Sequence, residues 1–163
     1  MIFIVFGLPG TGKTFFSKRL AEQLGAAYLN TDIIRERMNK KGLYQEHEKE
    51  RVYAQLLNEM EKYVPGNSDV VIDGTFHLKS RRMRFGQKAE SLGQTVFFIE
   101  IRAEEKTVKE RLRAPRDHSE AGYAAYQKIR RAFEPMDEPH LILWSDKQGV
   151  QEMIDHTIRH TDG

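Results

Sequence analysis

Eight residues near the N-terminus, Gly7-Leu8-Pro9-Gly10-Thr11-Gly12-Lys13-Thr14, restrict this chain more than any other stretch. They fit G-x-x-x-x-G-K-[ST], the pattern of a phosphate-binding loop. The flanks fit as well. Ile2-Phe3-Ile4-Val5-Phe6 is an apolar run of strand length, and Phe16, Leu20, Ala21 and Leu24 recur at helical spacing after the loop. Strand, then loop, then helix is the context this pattern needs. Glycines let the backbone curl until several N–H groups point inward. The following helix adds its free N-terminal amides and the positive end of its dipole. Lys13 then reaches toward β- and γ-phosphates, and the Thr14 hydroxyl is placed to ligate Mg2+.

The rest of the chain repeats the alternation. Ala26–Leu29 reads as a second strand, Asp69–Thr75 as a third, Thr95–Ile101 as a fourth and Leu141–Trp144 as a fifth. Between them lie helical patterns. One is capped by Asn30-Thr31-Asp32, one runs over 44–64, one over 78–92 and one over 104–112; another runs from a Ser119 cap to Phe133, and the last covers 147–160. Near-continuous apolar strands alternating with helices predict an α/β fold with a parallel sheet covered on both faces. Ligands of such sheets sit at the carboxyl ends of the strands. The loop, Asp32 and Asp73 each follow a predicted strand, so all three are expected on that one edge.

Length and composition narrow the class. The 163 residues suit one domain, 1–163, and no linker-like stretch divides them. The chain has no cysteine, which excludes disulfides and thiolate metal sites and fits a cytoplasmic location. No run approaches the length of a membrane span, so no membrane partner is expected. The charge is uneven: residues 76–118 carry eleven basic and six acidic groups, a net of +5, while residues 119–163 carry five basic and eight acidic groups. The middle third is therefore expected to meet anions.

Several side chains there and elsewhere can do chemistry. Asp73, after Val70-Val71-Ile72, resembles an acid that holds Mg2+ directly or through water, or else is a turn residue. Asp32 and Arg35 are three apart and share a helix face. They read either as a cap with an ordinary ion pair, or as a base for a hydroxyl beside a cation for the acceptor's anion. Arg111, Arg113 and Arg116 border a short polar segment, about 111–122, where a lid would close; at least one is expected on the phosphates, with Arg113 and Arg116 taken as catalytic candidates. Lys79, Arg81, Arg82, Arg84 and Lys88 form a basic helix that can track a phosphodiester backbone or be a solvated face, and Arg82 is taken as an acceptor contact. His156 and His160 have a metal-ligand spacing but lack a third ligand.

Taken together, Gly7–Thr14, Asn30-Thr31-Asp32-Ile33-Ile34-Arg35, Val70–Thr75, Arg116–Ala121 and Phe133-Glu134-Pro135 give the chain a resemblance to the P-loop kinase superfamily. More narrowly, it resembles the small kinases related to bacterial and phage polynucleotide 5′-kinases, antibiotic kinases and zeta-type toxins. The resemblance implies a five-stranded sheet in the order 2-3-1-4-5, a short lid, and ATP with Mg2+ held by Lys13, Thr14 and Asp73. It also implies Asp32 as general base and Arg35 on the acceptor's phosphate. The leading expectation is phosphoryl transfer to a 5′-hydroxyl end of nucleic acid, either by this chain alone or as a module of a larger repair enzyme. The alternatives are a kinase of a small hydroxylated molecule and, from another class, an ATP-binding sensor module.

Overall fold

The computed structural model describes residues 1–66, 68–113 and 122–161. It contains a five-stranded parallel sheet in the order β2-β3-β1-β4-β5. The strands are β1 (Ile2–Phe6), β2 (Ala27–Asn30), β3 (Val70–Asp73), β4 (Val96–Arg102) and β5 (Leu141–Trp144). The helices are α1 (Lys13–Leu24), α2 (Thr31–Arg37), α3 (Glu46–Tyr63), α4 (Lys79–Ser91), α5 (Glu105–Leu112), α6 (Tyr123–Ala132) and α7 (Val150–Thr161). The fold class and strand order are those expected. The expected start of α6 at Ser119 lies outside the described residues.

β1 is the spine, and its five residues are all buried. It pairs in parallel with β3 on one side and β4 on the other, with Ile4 opposite both Ile72 and Phe98. Its alternation sends side chains to opposite faces. Ile2, Ile4 and Phe6 enter a core with Val52, Leu56 and Met60 of α3 and Phe85 and Ala89 of α4. Phe3 and Val5 enter the opposite core with Phe16 and Leu20 of α1 and Met153 and Ile154 of α7. Chain order and strand order together put a reversal beside β1: β2 and β3 build one side of the sheet, then β4 and β5 the other. A crevice at the carboxyl edge follows from that reversal.

The turn after β3 is held by a buried arginine. Phe76 adopts φ +46, a left-handed conformation uncommon for a side chain of this size. Its N–H donates to Tyr53 Oη at 2.9 Å, and its carbonyl accepts from Arg82 Nη1 at 2.6 Å. Arg82 Nη2 also donates to the carbonyls of Glu134 and Pro135 at 2.7 and 3.1 Å. The guanidinium lies beside the stacked rings of Phe6 and Phe133, 5.0 and 5.6 Å from their centroids. One side chain thus ties α4, the β3 turn and the segment after α6. Arg82→Ala would orphan three carbonyls and open a cavity, so a loss of about 3–5 kcal/mol is expected. Urea unfolding of the variant measures it; an unchanged midpoint would show that the segment is held by something else.

Candidate functional site

The loop between β1 and α1 is built on close backbone approach. Gly7 has φ +142, and a Cβ there would stand 2.4 Å from the Ile101 carbonyl oxygen of β4. Gly10 has φ +82, and a Cβ there would stand 2.8 Å from Val108 of α5. Both positions are closed to other residues by space as well as by φ. Thr11 turns its hydroxyl inward onto the Leu8 carbonyl at 2.9 Å. Lys13 Nζ donates to the same carbonyl at 2.8 Å, which lays the ammonium over the loop. Pro9, Gly10, Gly12, Lys13 and Thr14 line a cavity of about 440 Å³, whereas Gly7 and Thr11 shape the loop from behind.

Asp73 closes the floor of this cavity. It is 1% exposed. Its Oδ2 accepts from the Thr14 hydroxyl at 2.7 Å, Asn30 Nδ2 at 2.7 Å and the Tyr28 hydroxyl at 3.0 Å. Tyr28 and Asn30 are alternate residues of β2 and share a face, and Asn30 sits directly beside Asp73 in the β2–β3 register. Burial, then the Asp73 charge, push the Tyr28 hydroxyl far above its ordinary pKa, so it stays a donor. Asn30 does two jobs. Its Oδ1 caps α2 by accepting from the Asp32 and Ile33 amides at 2.8 and 3.1 Å, while its Nδ2 holds Asp73. Neither β2 residue stood out in the sequence beyond the cap; the period-two pattern on an apolar strand was the available signal.

These donors bear on a bound metal. Among the described residues no group of three His, Cys, Asp or Glu could hold an ion. Thr14 and Asp73 offer two oxygen side chains beside a phosphate cradle. Mg2+ typically takes one or two protein oxygens and completes its shell with phosphates and water. The donor set therefore fits Mg2+ and does not fit an all-protein metal site. The His156–His160 spacing has another explanation: His156 meets Gln148 at 3.2 Å, and the His160 ring packs on Phe97.

The acid and arginine of α2 are brought together. Arg35 Nη1 donates to Asp32 Oδ1 at 2.7 Å, and both residues line the cavity. The Arg35 guanidinium also lies 4.6 Å from the Tyr44 ring centroid. Burial raises the Asp32 carboxyl above the usual range; the Arg35 charge pulls the other way, and Asp73 adds to the rise. A half-buried carboxylate of raised proton affinity at the mouth of a phosphate site is suited to take a proton.

Other expected residues are placed differently. Arg82 does not reach the cavity; it is 0% exposed and spent on backbone carbonyls, which corrects its assignment as an acceptor contact. The basic helix is no open track either. Arg81 pairs with Glu46, Arg84 with Glu50, Lys88 with Glu61, and Lys79 with Asp137 and Glu138. Acidic residues of α3 and of the 137–138 segment offset that charge locally. Arg113 is exposed at the end of α5 and does not line the cavity. Arg116 and most of the expected lid lie outside the described residues.

Among the described residues of that group, Arg111 meets the loop. Its Nη1 donates to the Gly10 carbonyl at 3.3 Å and to Ser145 Oγ at 2.8 Å. Ser145 Oγ in turn donates to the Thr11 carbonyl. The turn after β5 is thereby fastened to the phosphate loop.

With this geometry, comparison with known proteins is informative. A family profile described as an AAA domain matches residues 2–136. The chain belongs to that family. Among curated proteins no sequence matches it. Solved structures with the same fold include a sugar kinase from Janibacter sp. HTCC2649, with a TM-score of 0.79, 16% identity, and coverage of 99% of this chain and 94% of that one. The Mycobacterium tuberculosis APS kinase, solved with AMPPNP and APS, has a TM-score of 0.76 at 16% identity over 99% of this chain and 97% of its own. Kti12 of Chaetomium thermophilum, solved with ADP-AlF3, has a TM-score of 0.73 at 18% identity over 98% of both chains. The fold is that of the P-loop kinases.

If Arg111 steadies the loop for a nucleotide, Arg111→Met should weaken binding of a non-hydrolysable ATP analogue about tenfold. A fluorescent-analogue titration reads this directly, and unchanged affinity would leave the residue a purely structural tie.

Proposed function

We propose that this protein is an ATP-dependent phosphotransferase that moves the γ-phosphoryl group of ATP to a hydroxyl of a small acceptor. The observation that carries the reading is the Asp32–Arg35 pair, which lines the same cavity as Lys13 and Thr14. A nucleotide-binding module with no acceptor has no use for a half-buried carboxylate of raised proton affinity there.

The roles follow from position. The loop amides and Lys13 hold the triphosphate, and Thr14 and Asp73 are the residues that would hold Mg2+. When bound, that ion neutralises charge on the β- and γ-phosphates. Asp32 takes the proton of the acceptor hydroxyl as its oxygen bonds to the γ-phosphorus. The bond from that phosphorus to the β,γ-bridging oxygen breaks, and ADP leaves. Arg35 keeps the Asp32 carboxylate in place and presents its remaining edge to the acceptor.

Two observations favour a small acceptor. Among the described residues Lys79, Arg84 and Lys88 of α4 are paired with carboxylates of the protein, so α4 offers no unpaired stripe to a long polyanion. The sugar and APS kinases that share the fold also carry small-molecule names. The second reading, a 5′-hydroxyl end of nucleic acid, is favoured by the Asp-x-x-Arg spacing and its 2.7 Å contact.

Transfer of label from γ-labelled ATP decides between them. Panels of small phosphorylated alcohols and sugars are compared with 5′-hydroxyl oligonucleotides, with and without a phosphate next to the accepted hydroxyl. Label on a small acceptor supports the leading reading; label only on oligonucleotides supports the second; label on neither, with nucleotide still bound, overturns both. In an active assay Asp32→Asn should lower kcat by about 10²–10⁴ with little change in ATP-analogue affinity.

The pH profile is a separate check. A general base works when deprotonated, and Asp32 has a raised pKa. The rate should therefore fall on acidification at a pH above the ordinary aspartate range. His77, held near 4 by burial and by Lys49 and Arg81, titrates on the same side, so the limb must disappear in the residual activity of Asp32→Asn.

A further inference from the structure

Lys49 and Tyr53 of α3, His77 of the β3–α4 connection and Arg81 of α4 also line the cavity. Arg81 has 5% of its side chain exposed, and its guanidinium lies 4.7 Å from the Tyr53 ring centroid. Among the described residues its Nε and Nη1 make no hydrogen bond, although both are buried. Its Nη2 donates to the carboxylate of Glu46, and its Nε lies 3.7 Å from Glu50. Buried guanidinium nitrogens without acceptors are costly and uncommon. A guanidinium so placed has donors to spare for one more anion.

Lys49 stands beside it. The same Glu46 carboxylate lies 3.8 Å from Lys49 Nζ. Burial lowers the proton affinity of Lys49, and the charges of Arg81, Lys128 and Arg35 lower it further, against the pull of Glu46. The local field therefore favours one more negative group. Arg35, on the neighbouring element, also has a buried Nε with no hydrogen bond among the described residues. Cations from α2, α3 and α4 thus converge, and the Asp32, Glu46 and Glu50 carboxylates answer them.

Glu46 is the informative group. Its side chain is 62% exposed, although its carboxylate contacts both cations. Swinging out restores hydration to Glu46 but strips the buried Arg81 of its partner, so the exchange is favourable only when another anion takes the place. We propose that Lys49 and Arg81 form an anion subsite of the acceptor pocket, that it takes one phosphate- or carboxylate-class group of the acceptor, and that Glu46 holds the place until the acceptor arrives. This inference rests on the reading of the cavity as a phosphotransferase site. It deepens that reading by assigning a second group of the acceptor. His77 lines the same cavity and is neutral near physiological pH, so it offers one donor and one acceptor to other hydroxyls of that molecule. The acceptor is then an alcohol that also carries an anionic group.

The test separates the two halves by filling the first. Protein saturated with AMPPNP and Mg2+ is titrated with inorganic phosphate, and in a parallel arm with acetate, by calorimetry. Saturable uptake is expected. Lys49→Gln and Arg81→Gln should weaken it about tenfold or more. Glu46→Gln removes the competing carboxylate and should tighten it severalfold. Stronger binding in the phosphate arm assigns a phosphate-class group, and stronger binding in the acetate arm a carboxylate. No uptake, or equal uptake in Lys49→Gln and Glu46→Gln, overturns the inference even if Arg81→Gln fails to fold. AMPPNP affinity is read in the same samples. If the nucleotide does not bind, the phosphotransferase reading fails separately, and the phosphate titration is repeated in Lys13→Met to judge the subsite alone.

Discussion

The donor side of this molecule depends on a single carboxylate oxygen. Asp73 Oδ2 collects a hydroxyl from α1, an amide from the end of β2 and a phenol from the same strand. A buried carboxylate without partners would be strongly disfavoured. Here three neutral donors satisfy it, and each comes from an element with another duty. Thr14 starts the helix behind the phosphate loop. Asn30 caps α2, which carries Asp32 and Arg35. Tyr28 is anchored in the sheet by β2–β3 pairing. Moving Asp73 would therefore disturb the loop, the cap and the acid–arginine pair together. The sheet places the carboxylate, and the carboxylate sets where the other parts stand.

That dependence explains what could and could not be read from the chain. The phosphate loop was legible because Gly7, Gly10 and Gly12 each answer to their own positive φ, a local property, whatever else crowds them in the fold. The alternation of β1 was legible because a two-residue period marks two buried faces. Asp32 and Arg35 were legible because three residues along a helix is a fixed distance. Arg82 was not. In sequence it is one of five basic residues on a helix, and only the fold brings Phe76, Glu134 and Pro135 to it. The same holds for α4 as a whole. Its cations looked like an anion-binding face because their partners on α3 lie about twenty-five to thirty-five positions earlier. A charge count along the chain cannot see a pairing across helices. Tyr28 stayed hidden for a related reason: its role exists only once β2 lies beside β3.

The two halves of the cavity are built from different interactions, and the difference suits their tasks. On the donor side the contacts are hydrogen bonds onto one carboxylate and onto loop carbonyls, plus packing around Gly7 and Gly10 that leaves no room for a Cβ. Arg111 and Ser145 add a tie from the far side of the sheet. Such contacts keep donors fixed before a ligand arrives, and preorganised dipoles lose little on reaction. On the proposed reading the triphosphate is the same in every turnover, so rigidity there costs nothing in generality.

On the acceptor side the contacts are ion pairs with one buried and one exposed member. Arg81 is buried while Glu46 is open to solvent, and Arg35 is buried while Asp32 is half-open. An ion pair of this kind is easily exchanged, because the exposed carboxylate recovers its hydration when displaced. The buried cation cannot recover anything, so it must be offered another anion. That asymmetry gives the acceptor half a direction. An entering molecule that carries only hydroxyls leaves the pairs as they are and gains little. One that carries an anion can take over a guanidinium already desolvated by the fold, whose burial was settled when the chain folded. On the proposed reading, selection among acceptors turns less on the shape of the cavity than on whether the ligand can replace a carboxylate of the protein's own.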